Sequence, residues 1–204
     1  MAEDKKVSAE GTVNKKEESL QKSVLLYLHD LIYMLAGIML VFLVLFRMVI
    51  VSGSSMYSTL WDGDWLIVLS STFYQDPEYG DIIVACKESF NDGEPIIKRV
   101  IATEGQKVDI DFKRGIVYVD DKALAEPYTF TPTNHEEGMQ FPLIVDEGCI
   151  FAMGDNRNSS RDSRDPAIGL IDTREILGKA LYLVYPGTHE GTTARDFSRI
   201  GAVN

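Results

Sequence analysis

The sequence has few cysteines, few histidines and fewer basic than acidic side chains. Only two cysteines, Cys86 and Cys149, occur among 204 residues, far from the pattern of a disulfide-rich secreted module or a zinc site. Both lie in apolar runs, which favours buried free thiols, and a disulfide stays open as the alternative. The formal net charge of −11 disfavours nucleic acid as a partner, because phosphate binding requires a basic surface.

An apolar run near the N-terminus divides the chain. Residues 1–23 hold many charges and almost no large apolar side chains, so they predict a disordered tail. Leu31 to Val51 contains one charge, and a helix of that length spans about 31 Å, close to the hydrocarbon core of a bilayer. The run is too long for a cleavable signal peptide. We predict a transmembrane helix over 24–51, with its core at 31–51.

The charges around this run predict its orientation. Residues 1–51 contain equal numbers of basic and acidic side chains, so the whole negative excess falls on 52–204. The positive-inside rule counts lysine and arginine rather than net charge. It favours a cytoplasmic tail here because five lysines precede the run, at Lys5, Lys6, Lys15, Lys16 and Lys22. We therefore expect a single-pass protein of the cell membrane whose residues 52–204 form one extracytoplasmic domain.

The apolar segments after residue 51 are short and rich in β-branched side chains. Alternation of apolar and polar residues, with Asp-Gly, Glu-Gly and Arg-Gly breakers between segments, indicates a mainly β domain. One helical turn is predicted at 173–177. The predicted strands are 65–69, 81–86, 95–103, 107–111, 115–120, 149–153 and 178–185.

A serine and a lysine are the first candidates for chemistry. Ser55 follows the apolar run by four residues, although a Gly-Ser-Ser segment there also fits a flexible exit from a membrane helix. Alternation sends Lys98 and Arg99 to opposite faces of a strand, so one of them faces inward. A lysine among isoleucines is a candidate for a desolvated amine that acts as a base, and an exposed strand position is the alternative.

The remaining polar residues exclude two other kinds of site. The polar run 153–169 could be a solvated loop, and its oxygen ligands do not follow the spacing of a calcium-binding EF-hand. None of the three histidines, His29, His135 and His189, accompanies a Gly-x-Ser-x-Gly elbow. A Ser-Lys arrangement therefore explains the residues better than a Ser-His-Asp triad.

Four motifs follow the apolar run in a fixed order: SGSSMYSTL at 52–60, YGDIIV at 79–84, IIKRVIATEGQKV at 96–108 and GDNRNSSRDSR at 154–164. Together they resemble those of bacterial type I signal peptidases, in the compact single-span form typical of Gram-positive bacteria. The resemblance implies a largely antiparallel β catalytic domain. It also implies a membrane-bound serine endopeptidase that removes N-terminal signal peptides from exported preproteins and cleaves after small residues.

The same resemblance implies a role for each matching residue. Ser55 matches the nucleophile and Lys98 the general base of a Ser-Lys dyad. Ser160 matches a second serine that hydrogen-bonds and orients the lysine. Asp162 and Arg164 match a supporting ion pair.

The surroundings of the dyad follow from the resemblance as well. Met56 matches a residue that packs beside the dyad. The implied partners are signal peptides and the lipid bilayer, and no metal or organic cofactor is implied. The substrate pocket and oxyanion region are expected at Val51, Ser52, Gly53 and Ile97.

One departure and two alternatives remain open. Ser58 stands where the family usually has proline, which removes a fixed φ and predicts a slightly looser turn after Ser55. A dedicated Ser-Lys peptidase with one exported substrate would share the same motifs. An inactive membrane-tethered domain that binds exported chains is the alternative from another functional class.

Overall fold

A computed structural model describes residues 3–188 and 192–203, which divide into two compact units at Val44 and Leu45. The first unit is built on helix α1 (Glu3–Leu45). Its segment Gln21–Leu45 is long and apolar enough to cross a membrane, with a mean hydropathy of 2.2. The second unit contains all of the β structure.

Helix α1 differs from the sequence prediction at both ends. The predicted end at residue 51 is corrected to Leu45, because Phe46–Ile50 forms strand β1 and gains backbone hydrogen bonds from a neighbouring strand. Residues 3–23, expected as a disordered tail, continue the same helix. Lysine, glutamate, glutamine and alanine there are good helix formers, and extending an existing helix requires no new nucleus.

The described residues of the second unit form twelve strands, and every described pairing between them is antiparallel. Short 3-10 turns lie at Asn91–Gly93, Thr173–Glu175 and Phe197–Arg199. After β1 the strands are β2 (Trp65–Ser70), β3 (Ile82–Cys86), β4 (Pro95–Thr103), β5 (Lys107–Asp111), β6 (Ile116–Val119), β7 (Lys122–Ala123), β8 (Leu143–Ile144), β9 (Cys149–Met153), β10 (Ile171–Asp172), β11 (Ile176–Tyr185) and β12 (Gly201–Ala202).

The mainly β prediction is confirmed. All seven predicted strands are present, and β4, β5 and β9 have the predicted bounds. The helical turn expected at 173–177 is a 3-10 turn at Thr173–Glu175. The unpredicted strands are β1, which continues the apolar run, and four strands of only two residues, β7, β8, β10 and β12.

Strand order in the larger sheet brings together segments that are distant in sequence. The order is β1-β2-β11-β3-β4-β9-β10, with β12 paired to β11, and a smaller sheet has the order β7-β6-β5-β8. Strand β11 therefore joins the β1-β2 pair to the β3-β4 pair. The second half of the chain supplies the centre of a sheet whose other strands come mainly from the first half.

Two buried clusters hold the functional region in place. One packs Met56 and Leu60, from the segment that follows β1, onto Leu66, Val84 and other side chains of the larger sheet. Another joins the two sheets, with Phe151 and Ile101 packed against residues of β5 and β6. The segment that carries Ser55 is therefore seated on the core of the larger sheet.

The two cysteines are free thiols. Cys86 ends β3 and Cys149 begins β9, and both are half-buried. Burial raises the pKa of the Cys149 thiol. The disulfide that the sequence left open is not formed. The thiols are free as predicted, but they are half-buried rather than fully buried.

Candidate active site

Ser55 and Lys98 lie in hydrogen-bond contact. The Nζ of Lys98 donates to the Oγ of Ser55 at 2.9 Å. Lys98 lies in the middle of β4, opposite Ile83 of β3, and is 4% exposed. Ser55 is half-buried in the loop between β1 and β2. A regular strand and an irregular loop thus supply the two halves of the contact.

The environment of Lys98 favours its neutral form. Burial lowers its pKa from 10.5 to about 8, because removal from water disfavours the charged amine. The negative charges of Asp162, Glu137 and Asp155 oppose this effect, and the positive charge of Arg164 adds to it. A lysine with this pKa is neutral in a useful fraction of molecules slightly above neutral pH.

Arg99 is buried as deeply as its neighbour Lys98. Alternation predicted that one of the two faces inward, but both are inside, with Arg99 only 2% exposed. Its guanidinium donates twice to Asp155, at 2.9 and 2.8 Å, and once to the carbonyl oxygen of Gly80 at 2.8 Å. It also lies 4.1 Å from the centre of the Tyr128 ring. The opposite face of β4 is therefore covered, and a buried charge there is neutralised.

The segment after β9 holds the Ser55 loop from one side. The backbone N–H of Asn156 donates to the carbonyl oxygen of Ser55 at 3.0 Å, and its side-chain amide donates to that of Ser54 at 3.1 Å. The hydroxyl of Thr59 donates to Asp155 at 2.5 Å. Asp155 also binds Arg99, so one carboxylate connects the nucleophile loop to the strand that carries the lysine.

The C-terminal segment holds the same loop from the other side. Asp64 is fully buried and accepts two hydrogen bonds from the guanidinium of Arg199, at 2.9 and 2.7 Å. Arg199 also donates to the carbonyl oxygen of Thr59 at 3.1 Å and lies 3.8 Å from the centre of the Trp61 ring. The backbone N–H of Gly187 adds a hydrogen bond to Asp64 at 2.6 Å. These contacts restrain the turn that contains Ser58.

Asp162 and Arg164 form the expected ion pair in the loop after β9. The guanidinium donates to both carboxylate oxygens at 2.8 Å, and both residues are fully buried. Asp162 also accepts the backbone N–H of Gly154 at 2.9 Å. The pair therefore fixes the fold of the 154–164 loop beneath the Ser55–Lys98 contact.

Ser160 lies in this loop but does not bond to Lys98 among the described residues. It is 4% exposed, and its Oγ donates weakly to the carbonyl oxygen of Arg161 at 3.5 Å. A Cβ added at Gly154 would overlap the side chain of Ser160 and lie 2.5 Å from the carbonyl oxygen of Ser55. Ser160 is thus packed close to the site, and its orienting role stays a prediction.

A cleft of about 500 Å³ opens beside the Ser55–Lys98 contact. Of the four residues expected here, Val51, Ser52 and Ile97 line the cleft and Gly53 does not, and Met56 lines it as well. The backbone N–H of Gly53 instead donates to Asp62 at 2.8 Å. The other residues lining the cleft come from the ends of β1 and β4, at Val49, Ile50, Glu94, Pro95 and Ile96.

No hydrogen bond joins either of the two described histidines to Ser55 or Lys98. His29 is on α1, and the carbonyl oxygen of the exposed His135 accepts a hydrogen bond from Arg164 at 3.0 Å. His189 lies outside the described residues. Within 3–188 and 192–203, no three histidine, cysteine, aspartate or glutamate side chains are grouped to hold a metal ion.

Comparison with known proteins places the chain in a family. The family model described as "Signal peptidase, peptidase S26" matches residues 24–185. The chain belongs to this family. Membership makes it a peptidase, and the candidate membrane helix Gln21–Leu45 fits a membrane-anchored signal peptidase.

Individual relatives agree with this assignment. "Signal peptidase I" of Bacillus amyloliquefaciens is 32% identical over 91% of this chain and 96% of that protein. "Probable signal peptidase I-1" of Synechocystis sp. is 36% identical over 69% of this chain and 72% of that protein. A crystal structure of a signal peptidase I from Enterococcus faecalis V583 covers 51% of this chain and 96% of that chain, at 26% identity and a TM-score of 0.42. The family assignment rests on the sequence matches.

Sequence reasoning did not assign roles to Asp155, Asn156, Arg99, Asp64 or Arg199. The first two lie in the GDNR segment that marked the motif, so their type and place were visible but their contacts with the Ser55 loop were not. Arg99 and Asp155 are 56 residues apart, and Asp64 and Arg199 are 135 apart. No local pattern reports pairs at such separations.

Proposed function

We propose that this signal peptidase removes N-terminal signal peptides from exported preproteins, with Ser55 as nucleophile and Lys98 as general base. The 2.9 Å contact between the lysine Nζ and the serine Oγ carries the proposal, because a base must lie within hydrogen-bond reach of the proton it takes. Burial lowers the pKa of Lys98, so the neutral amine that can accept the serine proton is available at this contact. Relatives named signal peptidase I support the substrate class.

The reaction proceeds through an acyl-enzyme. Neutral Lys98 accepts the hydroxyl proton as the Oγ of Ser55 bonds to the scissile carbonyl carbon, and the carbonyl oxygen takes the negative charge. Collapse of this intermediate breaks the C–N bond, and Lys98 passes its proton to the leaving amine. Water then attacks the ester carbonyl and loses a proton to Lys98. The C–Oγ bond breaks, Lys98 returns the proton to the Oγ of Ser55, and the new carboxylic acid leaves.

We assign the backbone N–H of Ser55 as a donor to the developing oxyanion. No acceptor among the described residues takes this N–H, whereas that of Gly53 is already bonded to Asp62. An N–H held ready for the transition state stabilises the charge as it forms. We therefore assign this role to Ser55 rather than to Gly53.

The cleft suits an extended peptide. Among the described residues, β9 pairs with β4 only from Arg99 onward and β1 pairs with β2 alone, so each strand has an open backbone edge. These edges border the cleft at 49–50 and 95–98. An extended substrate can add as a strand between them through main-chain hydrogen bonds. Val51 and Ile97 give apolar walls close to Ser55, which fits small side chains before the cleaved bond.

Attachment to the lipid bilayer places enzyme and substrate in the same membrane. The candidate span favours a single pass, and the lysines before it favour a cytoplasmic N-terminus and an extracytoplasmic catalytic domain. Protease added outside intact spheroplasts should then degrade the catalytic domain. Resistance of that domain until the membrane is opened would reverse the proposed orientation.

The decisive experiment compares cleavage of a purified preprotein by the wild type, Ser55→Ala and Lys98→Ala. Each variant should lower kcat/KM by about a thousandfold or more, whereas Ser54→Ala, at the exposed neighbour, should stay within about threefold. Wild-type kcat/KM should rise with pH and level off above about 8. Full activity in either dyad variant, or a flat pH profile, would contradict the assignment.

A panel of unrelated preproteins separates general from dedicated processing. Cleavage of most of the panel supports the general function, and cleavage of a single member supports the dedicated alternative. Binding of the panel without cleavage by the wild type would indicate the inactive tethered domain.

A further inference from the structure

Glu94 lines the same cleft as Ser55 and Lys98, and the mechanism above gives it no task. It directly precedes β4 and is exposed, whereas Lys98 is buried in the middle of that strand. Among the described residues that line the cleft, Glu94 and Lys98 are the two with ionisable side chains. One carboxylate and one amine therefore share the wall of a single cleft.

The spacing of Glu94 and Lys98 corresponds to a distance along a bound peptide. Lys98 comes four residues after Glu94, and a strand rises about 3.3 Å per residue, so the two positions are roughly 13 Å apart along the edge. Past Lys98 the edge of β4 is covered, because β9 pairs with it from Arg99 onward. The open edge therefore runs from the Ser55–Lys98 contact back towards Glu94.

A substrate that pairs with this edge has its cleaved bond beside Ser55 and Lys98. The cleft is the proposed binding place of the segment before that bond, and main-chain pairing keeps the segment extended. Extended peptide and strand have nearly the same rise per residue. The fourth or fifth residue before the cleaved bond therefore lies beside Glu94.

The other side chains around Glu94 make charge the main property that this place can distinguish. Val49 and Ile50 of β1 and Pro95 and Ile96 of β4 line the cleft there, and none of them has a polar side chain. A substrate ammonium or guanidinium gains an ion pair with Glu94, whereas a carboxylate is repelled. Because an exposed pair contributes modestly, the largest contrast is between substrates of opposite charge.

We propose that Glu94 is a specificity-determining residue that favours substrates with lysine or arginine at the fourth or fifth residue before the cleaved bond, and disfavours aspartate and glutamate there. The inference rests on the proposed cleavage at Ser55 with the preceding segment bound in the cleft. The interaction is made with the bound substrate and persists in the transition state, so it acts mainly on KM.

The test measures cleavage of preprotein peptides by the full chain. The peptides differ at one position, from the third to the sixth residue before the cleaved bond, and carry lysine, glutamine or glutamate there. At the fourth or fifth residue, wild-type kcat/KM should be about fivefold higher for lysine than for glutamate, and at the other positions less than about twofold higher. This ratio should approach one in about 0.5 M salt.

The position scan separates Glu94 from the general charge of the protein. The negative excess of residues 52–204 acts on an acidic peptide at every position, whereas a single carboxylate in the cleft acts at one place. Glu94→Gln should bring the ratio of lysine to glutamate peptides to within about twofold of one. Glu94→Lys should invert it, so that the glutamate peptide is cleaved faster.

Glu88→Gln is the matched control, because Glu88 is an exposed carboxylate of the same β3–β4 connection that does not line the cleft. It should keep the wild-type ratio, and a shift equal to that of Glu94→Gln would overturn the proposal. A merely structural role of Glu94 would change kcat/KM by one factor for all three peptides, and that result would also overturn it.

If Glu94→Lys does not fold, the wild-type scan and Glu94→Gln decide. A wild-type ratio within about twofold of one at every position would overturn the proposal, and so would a preference that survives in Glu94→Gln. Failure of the wild type to cleave any peptide would count against the proposed function, whereas cleavage without a charge preference counts against this inference alone.

Discussion

Ser55 and Lys98 are in contact, yet opposite kinds of structure hold them. Lys98 lies on the nine-residue strand β4, where alternation sets the direction of its side chain and the sheet buries it. Ser55 lies in an irregular loop that is fixed by polar contacts from Asn156 on one side and Arg199 on the other. A regular element is enough to place the base, whereas the nucleophile depends on contacts from residues far along the chain.

The anchors of the Ser55 loop differ from the packing around Lys98 in their chemistry. They end on two fully buried carboxylates, Asp155 and Asp64, each bound to an arginine. Removing one member of a buried ion pair leaves an uncompensated charge, which costs more than the intact pair contributes. Substitutions in these anchors should therefore have larger effects than the small number of bonds suggests.

The largest effect is expected for Asp155→Asn, which breaks the connection between the two regions. The side chains of Arg99 and Asp155 are 2% and 0% exposed, so the loss of the anion should lower the free energy of unfolding by about 3 to 5 kcal/mol. Cleavage should fall by at least about tenfold, because Thr59 also loses a charged acceptor.

Urea denaturation measures this change, and Arg174→Ala is the control. Arg174 pairs with Asp172 at the surface, with 89% of its side chain exposed, so no measurable change in stability is expected. Equal stability of Asp155→Asn and the wild type would show that the loop is held in some other way.

Lys98→Met tests the strand side and should stabilise the protein while abolishing cleavage. The pKa of Lys98 falls from 10.5 to about 8 on folding, so the unfolded chain binds more protons between these values and stability rises with pH there. The cost of the buried ammonium is fully present below pH 8. Methionine should remove it, with a gain of up to about 3 kcal/mol at pH 7 that fades towards pH 10.5.

Thermal unfolding at pH 7 and pH 10 checks the sign of this effect. Lys122→Met, at an exposed position of β7, serves as control and should change stability little at either pH. A variant less stable than the wild type at pH 7 would mean that the bond to Ser55 and the nearby carboxylates outweigh desolvation.

Arg199→Ala tests the contacts that the C-terminal segment makes with the Ser55 loop. Its effects on stability and cleavage should be the smallest of the three variants. Asp64 keeps the N–H donors of Gly187 and Trp61, so the loss should be about 2 kcal/mol rather than the full cost of an unpaired ion. We expect kcat/KM to fall several-fold with an unchanged pH midpoint, since Lys98 is untouched.

Arg195→Ala is the matched control for this variant. Arg195 bonds to the carbonyl oxygen of Pro186 and packs on Tyr185, so it should leave kcat/KM near the wild-type value. If Arg199→Ala lowers stability but not kcat/KM, the C-terminal anchor serves the fold and not the nucleophile.

The same comparison explains how much the sequence could predict. Alternation is a local signal, and it located β4, β5 and β9 with correct bounds and marked Lys98 as a candidate. It did not separate β1 from the helix before it, because both are continuously apolar. The order of the motifs identified Ser55 as the partner of Lys98. The motif that contains Ser160 did not show which group its hydroxyl contacts. No local pattern marked Glu137, because its ion-pair partner Arg164 lies 27 residues later in the sequence.

Strand order in the larger sheet has a consequence for biosynthesis. Ser55 and Lys98 are synthesised before β11, which joins β2 to β3 and begins 78 residues after Lys98. Pairings between distant segments form late because the intervening chain must first be closed into a loop. A partly synthesised molecule thus contains both reactive side chains without the sheet that brings them together. From this strand order we expect no proteolytic activity before β11 has been synthesised.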